Sequence, residues 1–375
     1  MQKINLREKT IEEIKINEND CINCKICYNA CPMMSKYSSS PKELMKEIIN
    51  AHSVDKYIPY SCTLCEVCNL KCPKNIKIKE MFYNMRKDIF ITDKKSLNSL
   101  GYNTIKFHQK NSFSPLFSKS FSNEKTKKLF FPGCSLSSYS PEIVFKTYEY
   151  LKTHINNLSI AFKCCGKPTL SMGDNNKFIK YYSQVEELFL KNEIDEVIVA
   201  CPNCFATIKQ YSKSIKVTTI WEVISEYSIP KGLVNHYGDI DVKFSLHDPC
   251  PIRHESKIHD DVRNILKSMG IKVVEFDKNR ENSECCGSGG MLRVTNPSLA
   301  LEQTKKRANE AKTDTVISYC ESCCESMMIA NKNTLHILDF MFNDDIINKN
   351  KFTQDKTSTL KKWTNRYKAI NLIKK

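Results

Sequence analysis

Nineteen cysteines stand in this chain of 375 residues, and eighteen of them fall into groups of repeated spacing. Two runs share the form Cys-x2-Cys-x2-Cys-x3-Cys-Pro. One holds Cys21, Cys24, Cys27 and Cys31 before Pro32; the other holds Cys62, Cys65, Cys68 and Cys72 before Pro73. Three thiolates so closely spaced grip three corners of a [4Fe–4S] cube, and the fourth reaches a second cube. Cys21, Cys24, Cys27 and Cys72 are therefore expected to hold one cubane, and Cys62, Cys65, Cys68 and Cys31 the other. Zinc is the competing chemistry, because Cys-x2-Cys pairs also build tetrahedral zinc sites. A zinc site uses two such pairs and gives no reason for two identical four-cysteine runs ending in Cys-Pro.

The remaining groups form an internal repeat. Cys134, the pair Cys164-Cys165 before Gly166, and Cys201-x2-Cys204 make the first copy. Cys250, the pair Cys285-Cys286 before Gly287, and Cys320-x2-Cys323 make the second. Corresponding cysteines are offset by 116, 121 and 119 positions, so the internal spacing is nearly conserved between copies. Five thiols exceed what one cube or one zinc ion needs. Adjacent cysteines also point in different directions, which suits a larger or split cluster in which one sulfur bridges two irons. Gly166, Gly287, Gly289 and Gly290 let the backbone pass close to such a group. Cys324 has no counterpart in the first copy and reads as a buried or incidental thiol.

These thiols need a frame. Apolar runs at Leu129–Phe131, Val197–Ala200, Val242–Leu246, Val273–Phe276 and Thr315–Ser318 predict buried parallel strands. Between them, residues 177–192 place Phe178, Tyr181, Tyr182, Val185, Leu188 and Phe189 on one helical face. Residues 297–311 predict another helix, with Asn296 as cap and Pro297 at its first position. Strands alternating with helices imply two α/β units, with cysteine groups at the C-terminal ends of strands, where open sheets place their ligands. In the first block, residues 41–51 predict a short helix opened by Pro41, and 76–91 a second. The expected class is thus α+β and multidomain. An α-helical ferredoxin domain (1–95) is followed by a surface linker rich in Ser, Asn and Lys (96–127). Two tandem α/β domains follow (128–235 and 236–345), then a basic tail helix (346–375).

The bulk numbers narrow the setting. A formal net charge of +15 invites a nucleic-acid reading, but the charge is spread along the chain as lysine and no binding motif accompanies it. Each oxidised cube with its four thiolates carries about −2, so four clusters would remove roughly 8 units of that excess. The charged N-terminus lacks an apolar signal core, and no run approaches the roughly 18 apolar residues of a membrane span. The cysteines are expected in a reducing cytoplasm, where metal ligation outweighs crosslinking. Leu360, Trp363, Tyr367, Ile370 and Ile373 share one predicted face of the tail, and Lys361, Lys362, Arg366, Lys374 and Lys375 enrich the rest. Such a helix offers peripheral docking on the inner membrane face or on a partner, or packing on its own domain.

The combined pattern resembles the CCG domains of heterodisulfide reductase subunits. The words FFPGCS at 130–135, LHDPC at 246–250 and CCGSGGMLR at 285–293 carry the likeness. The whole architecture is similar to the fused catalytic subunit of the membrane-linked reductase. It is similar too to the iron–sulfur subunits of glycolate oxidase and anaerobic glycerol-3-phosphate dehydrogenase. The resemblance implies a noncubane [4Fe–4S] cluster on Cys134, Cys164, Cys165, Cys201 and Cys204, and another on Cys250, Cys285, Cys286, Cys320 and Cys323. A cubane or zinc in these domains stays open. In the reductase the paired clusters flank the substrate disulfide, which would give Cys164, Cys165, Cys285 and Cys286 the catalytic place. In the other relatives an FAD-containing dehydrogenase donates electrons, and a membrane quinone or cytochrome takes them. Both functions stay open: a relay subunit, or a disulfide-cleaving enzyme. His247, Asp248, Arg253 and His254 flank Cys250, while Lys167 and Arg293 follow the paired cysteines. They either tune a cluster or hydrogen-bond a turn.

Overall fold

A computed structural model describes residues 3–122 and 126–374; residues 123–125 of the expected linker and Lys375 of the tail lie outside them. The chain forms two compact units, each discontinuous in sequence. The first comprises Met1–His108, Pro168–Ile179 and Glu284–Arg307; the second comprises Gln109–Lys167, Lys180–Ser283 and Ala308–Lys375.

The first unit is mainly helical. Strand β1 (Lys3–Asn5) pairs antiparallel with β2 (Ser53–Asp55). The helix Pro41–Ala51 begins where the Ser40 hydroxyl accepts the Glu43 N–H at 3.2 Å, with Pro41 pre-set for the first turn. Leu44, Met45 and Ile48 fall on its inner face. The helix Ile78–Thr92 turns Met81, Phe82, Met85 and Ile89 inward, and these meet Ile11 and Ile14 of the helix Glu8–Asp20 in one core. Residues 96–127 correct the expectation of a surface linker. Asp93 caps a tight turn over Lys94–Leu100, the helix Tyr102–Ser112 follows, and Leu97, Leu100, Tyr102 and Ile105 are core residues of this unit. The physical reason is dilution. A few apolar residues at helical intervals suffice for burial, although Ser, Asn and Lys dominate the composition around them.

The second unit contains two sheets. The first takes β3 (Lys119–Phe121), β4 (Lys128–Phe131), β5 (Ser159–Phe162), β6 (Glu196–Val199) and β7 (Lys216–Thr219) in the order β3-β5-β4-β6-β7. Strand β3 is an antiparallel edge and the rest run parallel. The second takes β8 (Lys243–His247), β9 (Lys272–Glu275), β10 (Thr315–Ser318) and β11 (Asn333–His336) in the order β11-β10-β8-β9, all parallel. Without β3 the two sheets have the same topology, so the cysteine repeat is also a repeat of fold. Each pivots on adjacent central strands, β4 with β6 and β8 with β10, whose C-terminal ends form the crevice where strand order reverses. Strands β5, β7 and β11 escape the apolar-run reading because Ser159, Lys216 and Asn333 begin very short segments.

The tail forms the helix Thr359–Lys374, and its buried side is rotated from the expected face, keeping Ile370 and leaving Leu360 and Tyr367 outside. Leu360 is 78% exposed and Tyr367 45%, while Asn365, Arg366, Ala369 and Ile370 are buried. Polar bonding sets this rotation. Asn365 donates to the carbonyls of Ser138 (2.9 Å) and Tyr139 (2.8 Å), which end the helix Gly133–Tyr139. Arg366 donates to the Ser112 hydroxyl and stacks on Trp363 and Phe117. The tail therefore packs on its own unit. Among the described residues no helix is long and apolar enough to cross a membrane.

Candidate metal centres

Both four-cysteine runs curl in the same way. The residues flanking each second cysteine, Asn23 with Lys25 and Leu64 with Glu66, take the left-handed conformation, with φ of 54°, 60°, 56° and 71°. Asn tolerates that region; Leu, Lys and Glu enter it only where the surroundings over-determine them. The curl turns three thiols toward one point. Cys21, Cys24 and Cys27 share a cavity with Cys72, and Cys62, Cys65 and Cys68 share another with Cys31. Within the second cavity the Leu64 N–H lies 3.3 Å from the Cys62 sulfur, and the Cys65 and Cys285 thiols hydrogen-bond each other.

Burial, followed by the neighbouring Cys72, Cys21 and Cys24, pushes the Cys27 thiol up to about 12. Burial likewise raises Cys31 to about 11 and Cys62 to about 12, the latter against the opposing charge of Arg86. Thiols crowded this way stay protonated until cations arrive, and iron supplies them; the donor sets fit iron–sulfur ligation. The quartets differ in access. Cys24 is exposed at the surface, whereas Cys62 is buried beside Arg86.

In the second unit, the crevice of the first sheet collects a complete five-cysteine set. Cys134 follows β4, Cys164 and Cys165 follow β5, and Cys201 and Cys204 open the helix Pro202–Tyr211 after β6. Hydrogen bonds link the thiols in a chain from Cys134 to Cys164, Cys165, Cys204 and Cys201. The hydrogen bond from Cys204 holds the Cys201 thiol low at the helix N-terminus, whereas the bonds to Cys165 and Cys201, with burial, push Cys204 up. Gln109 Nε2 lies 3.3 Å from the Cys164 sulfur, and the charge of Arg366 acts on Cys134. Gly133, at φ +77°, is required: a Cβ there would stand 3.2 Å from both Cys201 Cβ and Cys204 Sγ.

The second set is divided. Cys250, Cys320 and Cys323 repeat the strand-end positions of Cys134, Cys201 and Cys204 within the second unit. Cys285 and Cys286 belong to the first unit. There Gln303 donates to the Cys285 carbonyl and Thr304 to that of Cys286, at 3.0 and 2.9 Å. Asp248 is tied by Arg263, the Arg280 N–H and Tyr319, and Arg253 donates to the carbonyls of Glu281 and Ser283. These two residues hold the loop after β8. Cys324 is buried, with its sulfur 3.4 Å from the Leu335 carbonyl.

Two family comparisons match this layout: the 4Fe-4S dicluster domain over residues 20–77, and the cysteine-rich domain over 128–209 and again over 244–328. The chain belongs to the iron–sulfur proteins that join a 4Fe-4S dicluster domain to two cysteine-rich domains. It is 28% identical to an iron–sulfur protein of Methanococcus maripaludis, over 85% of this chain and 70% of that one. It is 23% identical to a dihydromethanophenazine:CoB–CoM heterodisulfide reductase subunit of Methanosarcina acetivorans, over 72% of each. It is 25% identical to the EtfAB:quinone oxidoreductase of Syntrophomonas wolfei, over 50% of this chain and 28% of that one. The protein is thus an iron–sulfur oxidoreductase-type subunit carrying iron–sulfur clusters.

Sequence reasoning missed Arg86, Gln109 and Gly133. Arg86 did leave a signal: it stands four residues after Phe82 and three before Ile89, inside the apolar stripe of its helix. Gln109 left none.

Proposed function

We propose that the chain relays electrons between a flavoprotein dehydrogenase and a quinone or other acceptor. Cys21, Cys24, Cys27 and Cys72 would hold one cubane, and Cys31, Cys62, Cys65 and Cys68 a second. The observation that carries the reading is a gradient inside the first unit. One quartet opens to solvent at Cys24, while the other has no exposed thiol; Cys68 of that second quartet lies near Cys27, and its Cys65 touches Cys285. A surface thiol set that leads inward to a second set, and from there to a paired cysteine, suits transfer between an external partner and an internal site. The EtfAB:quinone oxidoreductase likeness adds support for a flavoprotein and a quinone at the two ends.

A second reading has its own observation. The five linked thiols from Cys134 to Cys204 are all present and buried or half-buried in one crevice, which suits disulfide cleavage at a noncubane cluster there. Cys250, Cys285, Cys286, Cys320 and Cys323 would hold its counterpart, on the strength of the repeat. Anaerobic iron and sulfide analysis tests the clusters. About 16 irons per chain are expected, and about 8 with zinc would remove the noncubane pair. Dithionite-reduced protein is then mixed with a soluble quinone or with a heterodisulfide. Reoxidation by the quinone alone supports the relay; reoxidation by the disulfide alone overturns it in favour of the second reading.

A further inference from the structure

Arg86 is fully buried, and its bonding is unusual for a cation. Nε donates to the Pro59 carbonyl at 2.9 Å, one terminal nitrogen to those of Ser171 and Gly290 at 2.7 and 2.8 Å, and the other to that of Cys62 at 2.5 Å. The guanidinium also lies 5.0 Å from the Tyr60 ring centroid. All these partners are neutral. Among the described residues no carboxylate pairs with Arg86, and the titratable groups whose charge reaches it are Cys62, Tyr60 and Tyr83. The Tyr60 hydroxyl donates its proton to the Met172 carbonyl at 2.7 Å and so carries no charge to offset the guanidinium.

A buried charge without a counter-ion costs several kcal/mol. Hydrogen bonds to carbonyls satisfy the donors and leave the net charge standing. The remaining source of negative charge is Cys62, whose carbonyl Arg86 already holds, provided its thiol becomes a metal-bound thiolate. A cube with four thiolates carries about −2 when oxidised and gains one further negative charge on reduction.

We propose that Arg86 is the buried counter-cation of the cluster on Cys31, Cys62, Cys65 and Cys68, and raises its reduction potential. The inference rests on the cluster assignment made above. One electron enters the cluster, no bond or proton moves, and the fixed cation favours the more negative reduced form. The same guanidinium joins carbonyls from residues 59–62, 171 and 290, so it positions the Cys62 loop as well as charging it.

The test is an EPR-monitored redox titration of the anaerobic full chain. Cys24→Ser, which alters only the exposed quartet, tells the two cubane signals apart. Arg86→Gln is expected to shift the reduction equilibrium of the buried cluster about tenfold toward the oxidised form, about 59 mV lower, and to leave the other unmoved. Full iron content with both potentials unchanged overturns the proposal. If the glutamine variant does not assemble, Arg86→Lys decides. The charge stays while the fork of hydrogen bonds is lost, so the equilibrium should remain within about threefold of wild type while thermal stability falls. A fully loaded lysine variant with a tenfold loss overturns it. Wild-type protein without two cubane signals removes the assignment itself, and this inference with it.

Discussion

The two four-cysteine loops differ little in sequence pattern or backbone curl, and greatly in surroundings. Around Cys24 stand Ile22 and Lys25, open to solvent. Around Cys62 stand Phe82, Arg86, Glu284 and Cys285, supplied by distant parts of the chain. Gly289 and Gly290 press on the Thr63 and Cys62 carbonyls so closely that added Cβ atoms would fall 2.4 Å away. A local motif can set which thiols converge. Charge, access and rigidity at the cluster are set by what packs against the loop.

Removing a thiol from each loop tests this most strongly. Cys62→Ser is expected to lose the buried cluster and leave Arg86 without its counter-ion, destabilising the first unit by roughly 3–5 kcal/mol. Cys24→Ser leaves no buried cation unpaired and should cost less than Cys62→Ser, with iron lost only from its own cluster. Thermal melts followed by circular dichroism, with iron analysis of each variant, make the measurement. Equal destabilisation by the two would dissolve the distinction.

A smaller effect is expected from the other wall of the Arg86 pocket. Gly173, at φ +82°, lies against the Arg86 backbone: a Cβ would meet its carbonyl carbon and oxygen at 2.7 Å. The Tyr60 hydroxyl donates to the neighbouring Met172 carbonyl at 2.7 Å, so this turn has little room to withdraw. Gly173→Ala should destabilise by about 2–4 kcal/mol through strain and overpacking together. Gly232, in open space within the second unit, is the control. There alanine should be neutral or stabilising by up to about 1 kcal/mol. Differential scanning calorimetry on both variants reads the contrast.

How much of this was legible follows from range. The Cys-Pro runs, the helix at Pro41 and the five apolar strands are local patterns, and the structure carries those elements within a residue or two of where the sequence places them. The repeat was legible too, because the order of a single cysteine, a Cys-Cys-Gly and a Cys-x2-Cys returns in the second copy at nearly the same spacing. Illegible were features made by long-range packing. Residues 284–307 join the helical unit, Gln109 reaches Cys164 across 55 positions, and the tail buries Asn365 and Arg366 beside Ile370. No periodicity encodes a polar side chain whose partner is a distant carbonyl. Arg86 lies between these cases: its position in an apolar stripe was visible, and its purpose was not.

Lys79 offers the finest discrimination, because it carries the same charge to the same loop from outside. It lines the cavity of Cys62, Cys65 and Cys68, pairs with Glu66 at 2.5 Å, and keeps its side chain about a third exposed (32%). Water and salt screen it, and Glu66 already neutralises it. Lys79→Ala should therefore cost under about 1 kcal/mol of stability. It should shift the buried cluster's reduction equilibrium less than about threefold, and that shift should fade as salt rises toward 1 M, where the screening length is about 3 Å. The effect of Arg86→Gln should persist at the same salt, because no solvent reaches that guanidinium. Titrations of both variants at low and high ionic strength separate the two cations. A Lys79 effect as large and as salt-resistant as that of Arg86 would mean that burial gives Arg86 no special hold on the cluster.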